Sequence, residues 1–176
     1  MKGTLALGNR LVNFVWYRNY DKDEKQDLLT EASGVPHSYS LGVGRIRPEV
    51  KSKLREEAAA ILPPPLAELV QKVETPFIQA VTDSLATKSV FMHGKVLLVG
   101  DAVAGLRPHV AAGTAQGALH ALLLKRVFGN NPSMNIDEWE KTTLQWSTFA
   151  QKTSASMGDL SQFGHHPEAE DTPIEA

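Results

Sequence analysis

A short apolar run that leads into an acid, a stiff loop and a helix start constrains this chain more than any other feature. Residues Val96 to Val99 are all apolar, and Gly100 follows them where the chain must turn. A continuous apolar run of this length is typical of a strand buried on both faces of a parallel sheet. We therefore expect Asp101 at the carboxyl end of a strand, the edge of an open α/β sheet at which ligands bind.

The residues after Asp101 predict a loop followed by a helix that begins beside it. Pro108 stiffens the loop, and the small residues from Ala112 to Ala118 predict the helix. The first turn of a helix presents backbone N–H groups without intrahelical partners and carries a partial positive charge. The pattern thus indicates a cradle for an anionic or hydroxyl-bearing ligand, although Asp101 by itself could simply cap the turn that follows it.

Further patterns predict elements in α/β order around this segment. Alternating residues and turn signals predict strands, whereas prolines and a run of alanines mark helix boundaries. An apolar stripe predicts a final helix that contains Ile136, Trp139, Thr143, Trp146 and Ala150. The predicted strands are Leu11–Tyr20, Phe77–Val81, Ser89–Met92 and Val96–Val99, and the predicted helices are Asp23–Glu31, Pro48–Leu62, Leu66–Val73 and one that starts near Gly113.

The segment Gly94–Gly117 resembles the second flavin-contacting motif of the FAD-dependent aromatic-ring hydroxylases of the p-hydroxybenzoate hydroxylase type. Within that family, Gly100-Asp101, Arg107-Pro108-His109 and Ala112-Gly113-Thr114-Ala115 are most similar to the branch that contains 2,6-dihydroxypyridine 3-monooxygenase. Asn13–Asn19 and Thr75–Asp83 also resemble segments of this branch, in the same order along the chain. The resemblance runs from about Asn9 to about Trp146.

The resemblance implies an α/β fold that corresponds to the carboxyl-terminal half of such a hydroxylase. The chain has no Gly-x-Gly-x-x-Gly turn, which in this family holds the ADP part of FAD. We predict that residues 1–93 form part of a substrate-binding sheet domain and that residues 94–130 form a flavin-contacting strand, loop and helix. Residues 131–164 are then a carboxyl-terminal helix, and the Pro- and Glu-containing stretch 165–176 is a disordered tail.

The resemblance also implies which residues contact the flavin. The aspartate that matches Asp101 binds ribityl hydroxyls, and the matching proline, Pro108, lies near the reactive flavin carbon. The helix start faces the pyrimidine end, where a reduced flavin carries negative charge. The predicted cofactor-binding residues are Gly100, Asp101, Arg107, Pro108, Ala112, Gly113 and Thr114.

Catalytic and substrate residues are less constrained by the sequence. His109 is a candidate general base because an imidazole titrates in the appropriate range, and the alternative is a loop histidine bonded to the backbone. Trp16, Tyr17 and Phe77 are candidates for an aromatic pocket wall, with Gln79 to orient a substrate, although aromatic residues at this spacing are also typical of a core.

Composition excludes several classes of function and site. The chain has no cysteine, which rules out disulfides and thiolate chemistry and favours a cytoplasmic location. A net charge of -2 gives no electrostatic reason to expect nucleic acid or an anionic membrane as a partner. We predict no metal site, since the neighbouring His165 and His166 lie in the acidic tail without a fixed geometry.

Two classes of function remain open. The first is an FAD-dependent monooxygenase, truncated or split, that hydroxylates an aromatic or heteroaromatic ring with NAD(P)H as reductant. The alternative is a repurposed half-fold without flavin that binds a small aromatic or apolar metabolite, as an isomerase, a cyclase or a binding protein. Unpaired edges of the Val96–Val99 strand would recruit a second copy of the chain or a separate flavin-binding half. A monodisperse monomer in size-exclusion chromatography with light scattering would contradict self-association.

Overall fold

A computed structural model describes residues 6–164 of the 176-residue chain as a mixed α/β structure. The predicted tail and the His165-His166 pair lie outside the described residues. The structure divides between Ala80 and Val81 into two compact units. Its helices are α1 (Lys22–Leu28), α2 (Pro48–Ile61), α3 (Pro64–Lys72), α4 (Gly113–Phe128) and α5 (Ile136–Phe163), and its strands are β1 (Ser40–Leu41), β2 (Ile78–Gln79), β3 (Ser84–Leu85), β4 (Val90–Phe91), β5 (Val96–Leu97) and β6 (Ala104–Gly105).

The first unit contains α1 to α3 and one antiparallel pair of strands. Asp21 and Glu24 form a capping box that starts α1, and Pro48 occupies the first turn of α2, where its missing N–H costs no hydrogen bond. Strands β1 and β2 pair through Leu41 and Ile78. The buried side chains of this unit are Leu29, Leu41, Val50 and Ala58.

The segment predicted as the strand Leu11–Tyr20 pairs with no other strand among residues 6–164. Phe14 and Trp16 are half-buried while their neighbours are exposed. The predicted alternation of burial is therefore present, but in the described part of the chain the backbone hydrogen bonds to a neighbouring strand are not. The guanidinium of Arg18 lies 4.6 Å from the ring centroid of Trp16 and forms an ion pair with Glu57 of α2. The prediction of a strand at Leu11–Tyr20 is therefore wrong, and the contacts of Arg18 with Trp16 and Glu57 tie this segment to α2.

The second unit packs α4 and α5 against two short antiparallel ladders. Strand β3 pairs with β6, and β4 pairs with β5. Glu140 of α5 accepts hydrogen bonds from the backbone N–H groups of Ser89 and Val90, both at 2.7 Å, and so ties α5 to β4. The core of this unit is built on Val90, Leu123 and Trp139.

The prediction of a parallel strand at Val96–Val99, buried on both faces, is wrong. The strand is the second arm of a hairpin and pairs antiparallel with β4, and its turn places Met92, His93 and Gly94 at positive φ. Val96 and Val99 are both 43% exposed. A run of apolar residues does not by itself distinguish a central parallel strand from a hairpin arm, because both contain the same side-chain types.

Helix α5 extends beyond the apolar stripe, which ended at Ala150, and lies within the stretch 131–164 predicted as a carboxyl-terminal helix. Asn135 caps it in a second capping box with Glu138, and it continues to Phe163. Its buried positions are Trp139, Thr143, Ser147, Ala150, Ser154 and Gly158. Within residues 6–164, α5 and the other helices are too short or too polar to cross a membrane.

Candidate functional site

A cavity of about 780 Å³ opens in the second unit between the end of β5 and the start of α4. Its walls come from the turn after β5, from the loop that leads to α4 and from the first turn of α4. The residues that line it are Val99, Gly100, Asp101, Ala102, Leu106, Arg107, Pro108, Ala111, Ala112, Gly113 and Thr114.

The acidic wall of the cavity depends on a glycine turn. Gly100 has a φ of 56°, a value that L side chains rarely adopt, and a Cβ added there would lie 3.7 Å from the Cα of Gly117 in α4. Asp101 follows in a single 3₁₀ turn and is exposed. One of its carboxylate oxygens, Oδ1, lies 3.4 Å from the position of a Cβ added at Gly113. The turn thus brings a carboxylate beside the first residue of α4.

The cavity is also lined by the start of α4, which has no side-chain cap. Ala111 adopts a left-handed conformation with a φ of 48°, and Ala112 occupies the cap position of α4 without capping it. The first N–H groups of a helix have no intrahelical acceptor and carry its positive dipole end. The cavity is therefore lined by backbone donors and a partial positive charge, with the carboxylate of Asp101 beside them.

Arg107 holds the loop between these walls in place. Its Nε lies 2.6 Å from Oδ2 of Asp83, and its Nη1 lies 2.7 Å from Oδ1 of Asp159 in α5. Gln151 of α5 donates to the other oxygen of Asp83 at 2.8 Å. Desolvation disfavours the charged guanidinium, but its hydrogen bonds to Asp159 and Asp83 outweigh this and raise the pKa of Arg107. Arg107 is thus a permanent cation held between two carboxylates.

The ring of His109 packs against α5. A Cβ added at Gly158 would lie 2.9 Å from Nδ1 of His109, and His109 is not among the residues that line the cavity. This placement favours a packing role for the ring, and its catalytic role stays a prediction.

His120 supports the acidic wall from behind. It is fully buried on α4, and its Nδ1 accepts a hydrogen bond from the N–H of Gly100 at 3.0 Å. A neutral ring that accepts at Nδ1 carries its proton on Nε2, which lies 3.4 Å from Oγ of Ser147 and can donate to it. Burial lowers the pKa of His120. A buried neutral histidine therefore fixes the backbone next to Asp101.

All of the predicted cofactor-binding residues lie around this one cavity. The predicted substrate residues Trp16, Tyr17, Phe77 and Gln79 belong to the first unit, where Trp16 is half-buried and the other three are exposed. Their role stays a prediction. Among residues 6–164, no group of three or more His, Asp or Glu side chains gathers in a metal-binding arrangement.

Several supporting residues were not found from the sequence. Asp83 ends a segment noted for its resemblance, but nothing in the pattern indicated an arginine partner. Gln151 and Asp159 lie two helical turns apart within the predicted helix 131–164, so helical spacing could have placed them on one face. His120 had no signal, because a single histidine within a helix is common.

Comparisons with known proteins show which proteins this chain is similar to. A family model described as "FAD binding domain-like" matches residues 1–83, which precede the cavity residues. The 2,6-dihydroxypyridine 3-monooxygenase of Paenarthrobacter nicotinovorans is 31% identical over 137 residues, a match that covers 76% of this chain and 34% of that enzyme. The salicylate hydroxylase of Pseudomonas putida is 37% identical over 98 residues, which cover 52% of this chain and 22% of the enzyme. The chain thus spans about a third or less of the length of these relatives.

A solved structure gives the same result for the fold. The 2,6-dihydroxypyridine-3-hydroxylase of Arthrobacter nicotinovorans superposes with a TM-score of 0.71 and 25% identity, over 89% of this chain and 42% of that one. The partial coverage fits the carboxyl-terminal half of such an enzyme. By sequence and by structure, the chain is similar to a part of the FAD-dependent aromatic-ring hydroxylases.

Proposed function

We propose that this chain takes part in the FAD-dependent hydroxylation of an aromatic or heteroaromatic ring and that its cavity holds the isoalloxazine and ribityl parts of the flavin. The observation that carries the proposal is the convergence of Asp101 and the uncapped start of α4 on one cavity. The names of the relatives, a dihydroxypyridine monooxygenase and a salicylate hydroxylase, support a hydroxylated ring as substrate and favour this function over a flavin-independent one.

The walls suit a flavin chemically. The carboxylate of Asp101 accepts hydrogen bonds from ribityl hydroxyls, and a hydrogen bond to a charged group contributes about 1.5–3 kcal/mol. The N–H groups of Gly113 and Thr114 and the dipole of α4 stabilise negative charge at the pyrimidine end of a reduced ring. The volume of about 780 Å³ is within the range of small-molecule sites.

The chemistry divides between cofactor and protein. A bound flavin would supply the redox and dioxygen chemistry, with NAD(P)H as the reductant. The chain's own residues bind and orient it: Asp101 positions the ribityl chain, the start of α4 stabilises charge, and Pro108 forms a rigid wall. His109 remains a candidate base only if its ring leaves the contact with Gly158.

The ADP part of FAD requires further protein groups. The 176 residues include no Gly-x-Gly-x-x-Gly turn. We propose that a flavin-binding half outside these 176 residues completes the cofactor site, and that the aromatic substrate binds beside the ring.

A fluorescence titration with FAD tests the proposed site. We expect saturable quenching with wild-type protein and at least about tenfold weaker binding with Asp101→Ala, because one charged acceptor is lost. Asp137→Ala is the matched control, since Asp137 is an exposed carboxylate at the start of α5, far along the chain from the cavity residues. Equal binding by wild type and Asp101→Ala, or no binding by the wild type, would overturn the proposal.

A further inference from the structure

The loop that forms one wall of the cavity is held by α5 at successive turns. The backbone N–H of Arg107 donates to Oγ of Ser154 at 3.2 Å, and Nη1 of Arg107 donates to the carbonyl of Ala155 at 3.4 Å. Asp159 binds the same guanidinium one turn later. The second half of α5 therefore presents one continuous face to the residue that precedes Pro108.

The guanidinium of Arg107 binds two carboxylates through different nitrogen atoms. Its Nε binds Asp83 just before β3, and its Nη1 binds Asp159. Asp83 is itself held by Gln151 of α5. The side chains of all three charged residues are only 21–23% exposed, so these pairs are more shielded from solvent than ordinary surface ion pairs.

We propose that Arg107 is a positioning residue rather than a ligand of the cofactor, and that its clamp with Asp83 and Asp159 sets the place of the cavity wall formed by residues 106–112. This inference rests on the proposed flavin site, since it assigns the clamp a role in flavin binding. The resemblance to the hydroxylases implied a direct flavin contact for Arg107, and the two roles predict opposite effects of the carboxylates.

Substitutions of the two carboxylates distinguish a positioning role of Arg107 from a direct contact with the flavin. If Arg107 bound the flavin directly, removing the charge of Asp83 or Asp159 would free the guanidinium, and flavin binding would stay equal or become tighter. If the clamp positions the wall, Asp83→Asn and Asp159→Asn each weaken flavin binding although neither residue lines the cavity.

A lysine at position 107 provides a second distinction. Lysine keeps the charge, but its ammonium lacks the planar fork that binds two carboxylates on different sides. A direct electrostatic contact would therefore be rescued by Arg107→Lys. The clamp would not be, so we expect Arg107→Lys to bind flavin almost as poorly as Arg107→Met.

The experiment measures flavin affinity and loop protection in the same set of variants. We expect FAD or FMN binding to weaken about tenfold in Arg107→Met and several-fold in each aspartate variant. Glu68→Gln is the matched control, because Glu68 forms an exposed ion pair with Lys72 on α3, whose loss we expect to have no effect. Far-UV circular dichroism checks that the helices remain, and the two aspartate variants keep the test valid if Arg107→Met does not fold.

Amide hydrogen exchange without flavin provides the independent readout. The N–H of Arg107 donates to Oγ of Ser154 in α5, and the N–H of Ala111 donates to the carbonyl of Pro108 within the wall at 3.1 Å. We expect both to exchange faster in the clamp variants than in wild type and Glu68→Gln. If the wild type fails to bind flavin but exchange accelerates, the proposed function fails and the clamp stands. Unchanged exchange, or full flavin affinity in the aspartate variants, would overturn the clamp.

Discussion

At the scale of single residues, the turn that carries Asp101 depends on a buried histidine. His120 accepts the N–H of Gly100 and lies edge-on to the rings of Trp139 and Trp146, with centroids 6.5 Å and 6.3 Å away. Protonation would place a second proton on Nδ1, against the N–H that it now accepts. The backbone next to Asp101 is therefore held only while His120 is neutral.

This arrangement predicts a pH dependence of stability. Burial lowers the pKa of His120 in the folded chain, whereas the unfolded chain titrates near the ordinary value of about 6.5. Below that pH the unfolded state binds more protons than the folded state, so the free energy of unfolding decreases as the pH falls. Above that pH, the neutral ring makes its full contribution to stability. The slope from one such group is at most about 1.4 kcal/mol per pH unit.

Urea unfolding followed by tryptophan fluorescence from pH 8 to pH 5.5 measures this dependence. We expect the free energy of unfolding to fall more steeply below about pH 6.5 in wild type than in His120→Asn, which cannot titrate. Parallel curves for the two proteins would contradict the role assigned to His120.

At the scale of secondary-structure elements, α5 performs two tasks along its length. Its first half packs Trp139 and Thr143 into the core, and its second half contacts the cavity loop through Ser154 and Asp159. Gly158 belongs to the second half, where the ring of His109 and the side chain of Arg107 occupy the space that a Cβ would need. A helix interior normally favours alanine over glycine, so this glycine indicates a close approach.

Substitution of the two interior helix glycines should have opposite signs. Gly158→Ala places a Cβ 2.9 Å from Nδ1 of His109 and 3.1 Å from Cδ of Arg107, and we expect a loss of about 1–3 kcal/mol from overpacking. Gly117→Ala in α4 meets nothing within 4 Å, and we expect a gain of about 0.5–1 kcal/mol from helix propensity. Thermal and urea unfolding of both variants tests this pair. A stabilised Gly158→Ala would mean that the contact with His109 is loose.

The same elements explain what could be predicted from the sequence. Pro48 marked the start of α2 because a proline fits the first turn of a helix, and the small residues after Ala112 indicated the start of α4. The second half of α5 lies within the predicted helix 131–164, but its inward face was not predicted, because its buried positions Ser154 and Gly158 are not apolar. The pairings of β1 with β2 and of β3 with β6 were not predicted, because they join segments that are distant in sequence and apolar runs do not specify the partner of a strand.

At the scale of the whole molecule, the family match and the cavity lie in different units. The family model described as FAD binding domain-like matches residues 1–83, which are the first unit and the first three residues of the second. The cavity belongs to the second unit. The predicted division into residues 1–93, 94–130 and 131–164 stays a prediction, as do self-association and a separate flavin-binding half. The chain covers 34% of the dihydroxypyridine monooxygenase, so activity in isolation is not implied by kinship.

The most direct test of the central claim is an amide-resolved NMR titration of the labelled chain with FMN, which carries the isoalloxazine and ribityl groups without the ADP part. We predict saturable shifts at Gly100, Asp101, Gly113 and Thr114, and we expect the shifts of Gly100, Gly113 and Thr114 in Asp101→Ala to need at least about tenfold more FMN. Shifts confined to other parts of the chain, or none at saturating FMN, would contradict a flavin site between the Asp101 turn and α4.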